Sequence, residues 1–369
     1  MTQQCVAAGV TVWDPIRIGD VCLRNRFGLA PMSQYQAPDG APNEWHWRHY
    51  AHRAHAVGIV IVEATAVSRE SRVTPYDLFL TPESRIEPWQ RLVHEIRSAG
   101  AVPCLQLAHA GRKASRSRPW DGDRPIPLAD GGWQPVGPSN RPFAPGQLVP
   151  RALSTEEIAE IPEMFARSAR CAIDAGFEMV ELHAGHGRLL HSFYSPVAND
   201  RTDAWGGSVE GRSRLLLETT AAVRATLPPR AGLAVRLSCT DWLASGWQLS
   251  DTLWLADRLR QAGCQMIDCS SGGVVQPVDI PRAPHYQVDF ATQVRRACPI
   301  VTAAVGEITE YREARRVVAS GEADLVLMGR RLLVDPYYLA RESNRPELLP
   351  SSYRRALTSG LAVKGTAEW

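Results

Sequence analysis

Chemically competent residues collect at the ends of short apolar runs. One run closes on His183-Ala184-Gly185-His186. This pair has two readings. As neutral imidazoles the two ligate a metal, with His46 and His49 as further ligands. As hydrogen-bond donors they clamp a carbonyl oxygen or another anion. A spacing of three decides for neither. His46 and His49 alone read as an ordinary helix-face pair. Other run ends carry Pro31-Met32-Ser33-Gln34-Tyr35, Glu63-Ala64-Thr65, Gln106-Leu107-Ala108-His109 and Arg236. Ser270-Ser271-Gly272-Gly273, Ala304-Val305-Gly306 and Met328-Gly329-Arg330 complete the set. Glycines such as Gly306 and Gly329 let backbone N–H groups approach a phosphate, and Arg330 can neutralise it.

These ends need a scaffold that gathers them. The apolar runs are 27–32, 58–67, 102–110, 179–185, 233–239, 266–272, 300–306 and 325–330. Each is nearly continuous in apolar residues, as a strand covered on both faces requires. Helical spacing lies between them, with Ile158, Ile161, Phe165, Ala169 and Ile173 on one face. Ser154 and Glu157 read as a capping box at that helix start. Pro162 predicts a kink or a second start. Gly100, Gly176, Gly263 and Gly321 each stand where a helix ends just before a strand. The repeat predicts an α/β chain, a (β/α)8 TIM barrel, with its site at the C-terminal ends of the strands. Residues 111–150 break the pattern with eight prolines and six glycines. They follow the third strand and read as a lid or hairpin excursion over the site.

The chain has 369 residues, 41 Lys+Arg and 39 Asp+Glu, a net charge of +2. A length prior of roughly 150 residues per domain gives two or three domains, but one α/β barrel also reaches this length. One domain over 1–369 is expected. The charge balance gives no reason to expect a nucleic-acid or membrane partner. No apolar run approaches the roughly 18 residues of a membrane helix, and no secretory signal stands at the start. The eight cysteines lack Cys-x-x-Cys spacing and read as reduced, buried residues, which implies the cytoplasm.

Three stretches resemble one family. They are Ala30–Tyr35, Gln106–Ala114 and Glu181–Arg214; the last holds Ser195-Pro196, Asn199-Asp200-Arg201-Thr202-Asp203 and Gly206-Gly207-Ser208. The chain is similar to the old yellow enzymes, FMN-dependent ene-reductases, and within them to the thermophilic-like and xenobiotic-reductase subgroup. The resemblance runs from about Asp20 to Asp335. It implies FMN at the strand ends, reduced by NADPH or NADH, and hydride transfer to an electron-poor C=C of a small conjugated substrate. It implies that Ala30, Pro31, Met32, Ser33 and Ala64 line the flavin. Gln106 would bind the pyrimidine edge and Arg236 the N1–C2=O end. Gly306, Gly329 and Arg330 would hold the phosphate. His183 and His186 would bind the substrate oxygen, and Tyr35 would contact the substrate. Lys113 also stands in a matching motif. No metal is implied.

Two departures stand out. The family's proton-donating tyrosine is replaced by Arg188, a very poor acid. Arg188 would bind a carboxylate or phosphate, or stabilise an enolate while water, Tyr35 or Tyr194 gives the proton; its bland reading is a surface-pointing arginine. It also admits desaturation, imine reduction, double-bond migration or a silent flavin-binding module. Ser33 replaces a usual cysteine beside the flavin, which implies a shifted flavin potential. Tyr353-Arg354-Arg355 resembles a segment that reaches a neighbour's site, so residues 345–369 would meet a dimer interface in a homodimer or higher oligomer.

Overall fold

The computed structural model describes residues 9–281 and 283–358. Eight parallel strands close into one barrel. They are β1 (Phe27–Leu29), β2 (Ile59–Ala66), β3 (Val102–Ala108) and β4 (Met179–Ala184). The second half holds β5 (Gly232–Ser238), β6 (Met266–Ser270), β7 (Val301–Ala304) and β8 (Leu325–Met328). The seam pairs Val326 with Phe27 and Met328 with Leu29. The predicted barrel is therefore the observed one, though β1 stops three residues sooner than its apolar run.

Helices α1 (Glu44–Ala54), α2 (Glu87–Ser98), α3 (Thr155–Asp174), α4 (Leu189–Tyr194) and α5 (Val209–Thr226) follow in order. The later ones include α6 (Leu249–Gln261), α7 (Val288–Ala297) and α8 (Tyr311–Ala319). Gly100, Gly176, Gly263 and Gly321 follow helices with φ of +90, +99, +95 and +71°. This left-handed turn is the one glycine favours. Pro162 lies inside an unbroken α3, so no second start occurs. Ile158, Ile161, Pro162 and Phe165 are all buried, and that packing outweighs one lost backbone bond. The excursion is not one hairpin. Val136–Gly137 pairs in parallel with Arg151–Ala152, and an isolated antiparallel bridge joins Arg116 to Pro125. Among the described residues, no helix is long and apolar enough to cross a membrane. The seven described cysteines are free; Cys5 and the tail from 359 onward lie outside the described residues.

Inward side chains alternate along each strand. At the bottom, Ile59, Ile61, Cys104, Met179, Ala234 and Met266 form an apolar plug. An antiparallel pair, Ile16–Ile18 with Val21–Leu23, closes it from below; the sequence patterning gave no sign of this pair. One step up, the layer turns polar with Gln106, Glu181, Arg236 and Asp268. Gln106 Nε2 donates to Glu181 Oε1 at 2.7 Å, and Arg236 Nε lies 3.1 Å from Asp268 Oδ2. Two carboxyls thus share one guanidinium in full burial. Burial, and then the charge of Asp268, push Glu181 up to about 8 against the pull of Arg236. Asp268 is also raised by burial.

Two predictions follow from this framework. Ser154 Oγ accepts the Glu157 N–H at 3.2 Å, and Glu157 Oε2 accepts the Ser154 N–H at 2.8 Å. Ser154→Ala lowers the unfolding free energy by about 1 kcal/mol in urea titration. A carboxyl raised on folding binds its proton more tightly in the native state. Its contribution therefore fades as pH rises from the unfolded value of 4.5 through about 8. Glu181→Gln flattens that decline, by at most about 1.4 kcal/mol per pH unit. Unchanged pH curves in urea titration would refute the assignment.

Candidate active site at the C-terminal mouth

The barrel brings every predicted site residue to one end. Ala30 to Tyr35 leave β1, Ala64 lies in β2, Gln106 in β3 and Arg236 in β5. His183 ends β4, with His186 and Arg188 just beyond it. Gly306 follows β7, and Gly329 and Arg330 follow β8.

The segment after β1 is held from below. Between Val62 and Thr65, β2 carries one residue more than its partner β3. This bulge redirects the strand where Glu63 and Ala64 stand. Glu63 Oε2 accepts the Gln34 N–H at 2.7 Å, and Tyr50 Oη donates to Oε1 at 3.1 Å. The next residue, Tyr35, has φ of +54°, a conformation costly without glycine. Sequence reasoning noted Glu63 only as a strand-end residue. Its signal was a carboxylate inside the apolar run Ile59–Ala66.

The two histidines converge across a tight turn. His186 has φ of +54° and Gly187 of +73°, so the chain has reversed by residue 187. The rings lie 5.3 Å apart at 74°. His183 Nδ1 accepts the Gly185 N–H at 3.4 Å, which leaves the proton on Nε2. His186 Nε2 lies 2.7 Å from Ser270 Oγ. Burial, then neighbouring cations and imidazoles, lowers both well below the ordinary histidine range. Both are neutral donors at neutral pH.

The turn rests on a buried post that the sequence reading missed. His191 Nδ1 accepts the Gly187 N–H at 2.9 Å, and its Nε2 donates to Asp241 Oδ1 at 2.9 Å. Asp241 also accepts from Ser195 Oγ at 2.6 Å and from the Trp247 N–H at 2.8 Å. Tyr194 belongs to this post. Its hydroxyl donates to the Ala184 carbonyl at 2.8 Å and accepts the Ser238 N–H at 3.1 Å. It is fully buried and engaged, which corrects its reading as a proton source.

His46 and His49 sit on α1 and do not approach His183. His46 Nδ1 caps its own helix, accepting the Asn43 N–H at 3.2 Å, and its Nε2 lies 3.7 Å from Glu63 Oε1. Among the described residues, no group of three His, Cys, Asp or Glu side chains is arranged to hold a metal ion.

Arg188 turns inward. It is half-buried, and its Nε is sealed from solvent without a hydrogen-bond partner. The surface-pointing reading is therefore wrong. Tyr35 and Asp77 draw on its charge, and Arg116 opposes it. The Tyr35 ring meets Trp120 of the excursion edge-on at 5.6 Å. Lys113 crosses the turn, its Cε 3.0 Å from where a Cβ at Gly187 would stand. Its Nζ lies 5.1 Å from the Phe143 ring. Burial, and then Arg188, Arg112 and Arg116, bring its ammonium down to about 7.

Beside this, a cleft of about 340 Å³ runs out between β6, β7 and β8. Arg236, Ser271, Gln287, Gly306, Gly329 and Arg330 bound it. Gly306 has φ of +108°, and a Cβ there would lie 2.4 Å from Gln287 Nε2. Arg330 is exposed and pairs with Glu307 at 3.3 Å. Backbone at close approach with a nearby guanidinium suits a phosphate. At the other extremity, Tyr353 packs on Tyr337 at 5.6 Å, and Arg354 Nε donates to the Leu349 carbonyl of its own chain.

Comparison with known proteins agrees with this geometry. Residues 11–347 match the NADH:flavin oxidoreductase / NADH oxidase family. The NADPH dehydrogenase of Bacillus velezensis is 38% identical over 351 residues, covering 94% of this chain and 98% of that protein. Morphinone reductase superposes with a TM-score of 0.77 at 26% identity, over 91% of this chain and 90% of its own. The old yellow enzyme homologue of Zymomonas mobilis gives 0.75 at 27%, over 95% and 93%. The chain therefore belongs to the NADH:flavin oxidoreductase / NADH oxidase family, as an FMN-dependent NAD(P)H oxidoreductase of the old yellow enzyme type.

Proposed function

We propose that this enzyme reduces an electron-poor C=C of a small conjugated molecule, with Arg188 in place of the usual proton-donating tyrosine. The observation that carries the reading is the convergence of neutral His183 and His186 above the polar barrel layer. Bound FMN would supply the hydride-transfer chemistry between a nicotinamide donor and the substrate. The residues present fit that group. Gly306, with φ of +108°, takes a backbone conformation that favours glycine, and with Gly329 and Arg330 it would hold the phosphate.

Each remaining role falls to a residue already located. Ala30, Pro31, Met32, Ser33 and Ala64 would line the ring of the bound flavin. Gln106 gives one amide N–H to Glu181, and its carbonyl would accept an N–H of the pyrimidine edge. Arg236 stands as the positive charge that favours a reduced, anionic flavin. His183 and His186 hold the substrate's conjugated oxygen and stabilise charge developing on it. Tyr35 and Trp120 close the substrate side. Arg188 holds no transferable proton at working pH and serves as a fixed charge. A reduced cytoplasmic setting suits the free cysteines.

The test is anaerobic reduction with NADPH followed by cyclohexenone, reading the flavin absorption band. Return of the oxidised band establishes ene-reduction without a tyrosine at 188. A reduced flavin that stays reduced moves the reading to imine reduction, desaturation or double-bond migration. No reduction by NADPH favours a silent flavin-binding module. Arg188→Tyr raises turnover of simple enones. Unchanged or lower turnover counts against the proton-donor argument.

A further inference from the structure

Among the described residues, two cations at the substrate mouth have no hydrogen-bond or ion-pair partner. Arg188 Nε is buried without an acceptor, and its terminal nitrogens make no hydrogen bond or ion pair. Lys113 Nζ has no acceptor either, only the face of Phe143 at 5.1 Å. The nearby carboxylates are all engaged. Asp77 takes the Thr74 hydroxyl at 2.7 Å and the N–H groups of Val73 and Thr74. Asp123 is held by Arg116 at 2.8 Å. Glu63 is held by Tyr50 and Gln34. Arg112 is satisfied by the carbonyls of Arg141 and Val274. Neither charge is spent on a protein acceptor, so both remain available to a bound anion.

The two groups meet across one residue. Gly187 separates His186 from Arg188, and the stem of Lys113 lies on it. Any anion they share therefore sits beside the oxygen clamp, within a few bonds of the reacting carbons. A guanidinium fork with an ammonium beside it matches a planar, two-oxygen acceptor.

We propose that Arg188 and Lys113 form a carboxylate receptor, and that the substrates of this enzyme are conjugated carbonyl compounds carrying a carboxylate next to the reducible C=C. The inference rests on the ene-reductase reading above and deepens it. The same cations also suit a phosphate of the nicotinamide donor. Those phosphates lie a ribose away from the nicotinamide ring, whereas this pair sits at the reacting centre. The substrate carboxylate is thus the better match.

Proton occupancy supports the assignment and sets its pH dependence. Arg188, Arg112 and Arg116 act on Lys113 as cations, and Asp123 opposes them. His186 and His191 are also near, and both are neutral. Lys113 carries its proton below about 7 and loses it above. Carboxylate binding is therefore strongest in mild acid and weakens as pH rises through neutrality.

The experiment titrates the oxidised holoenzyme with 3-oxocyclohex-1-enecarboxylate and with its methyl ester, reading the perturbed flavin band. The acid binds about 10- to 100-fold more tightly than the ester at pH near 6. Arg188→Gln and Lys113→Met each cut that ratio about tenfold while the flavin stays bound. In the parent the ratio shrinks above about pH 7. Equal binding of acid and ester overturns the receptor. Reoxidation of the flavin by cyclohexenone in the same preparation shows whether the reaction itself stands. A ratio near one, with both variants losing preference for NADPH over NADH, assigns the pair to the donor phosphate and overturns the substrate reading.

Discussion

Closure of the barrel at the β8–β1 seam is the constraint on which the site depends. Strands from opposite ends of the chain must pair there, Val326 with Phe27 and Met328 with Leu29. The pairing is tight enough to demand glycine. A Cβ on Gly28 would lie 2.4 Å from Leu327 Cδ2 and 2.9 Å from Ile59 Cγ2. Once closed, a parallel sheet has all its strand ends at one mouth. The Gly306–Arg330 end of the cleft and the Met32–Tyr35 segment become neighbours only through that seam. Gly329 confirms the closeness, since a Cβ there would stand 3.1 Å from Met32 Sδ.

Above the seam, the structure is organised by charge in a dry space. The barrel plug is apolar, and the next layer holds two carboxyls, one guanidinium and one amide in full burial. Burial drives each group toward its uncharged form. The imidazoles respond by staying neutral, which suits donors, and Glu181 by holding its proton more tightly. Arginine cannot respond in that way. Arg236 therefore keeps Asp268 close, Arg112 takes carbonyls and Arg116 takes Asp123, while Arg188 makes no such pair among the described residues.

The fold was legible because its signal is repetitive. Apolar runs, amphipathic helices and glycine stops recur, and each βα unit reinforces the reading of the next. Gly100, Gly176, Gly263 and Gly321 all carry the positive φ that their positions implied. The candidate site was legible where a residue is exceptional in its context: His183, His186, Gly306 and Arg330 all stand at strand ends of the one mouth, as their runs implied. Residues that act through others were not. Glu63, His191 and Asp241 touch the loops that carry site residues, and such partnerships join segments far apart in sequence. Tyr194 was misread for the same reason, since only the fold brings Ala184 and Ser238 to its hydroxyl. Pro162 shows propensity yielding to packing.

The rim formed by residues 111–150 has a thermodynamic side. Its regular structure amounts to short 3-10 turns and two-residue strands, yet it carries eight prolines. Each proline narrows the choices of the unfolded chain, worth about 0.4–1 kcal/mol where the native backbone already suits it. Much of the rim's disorder is thus removed before folding begins. A segment ordered in this way keeps its shape without a core of its own. Trp120 beside Tyr35 and Phe143 beside Lys113 are thereby set in place by the stiffness of the segment that carries them.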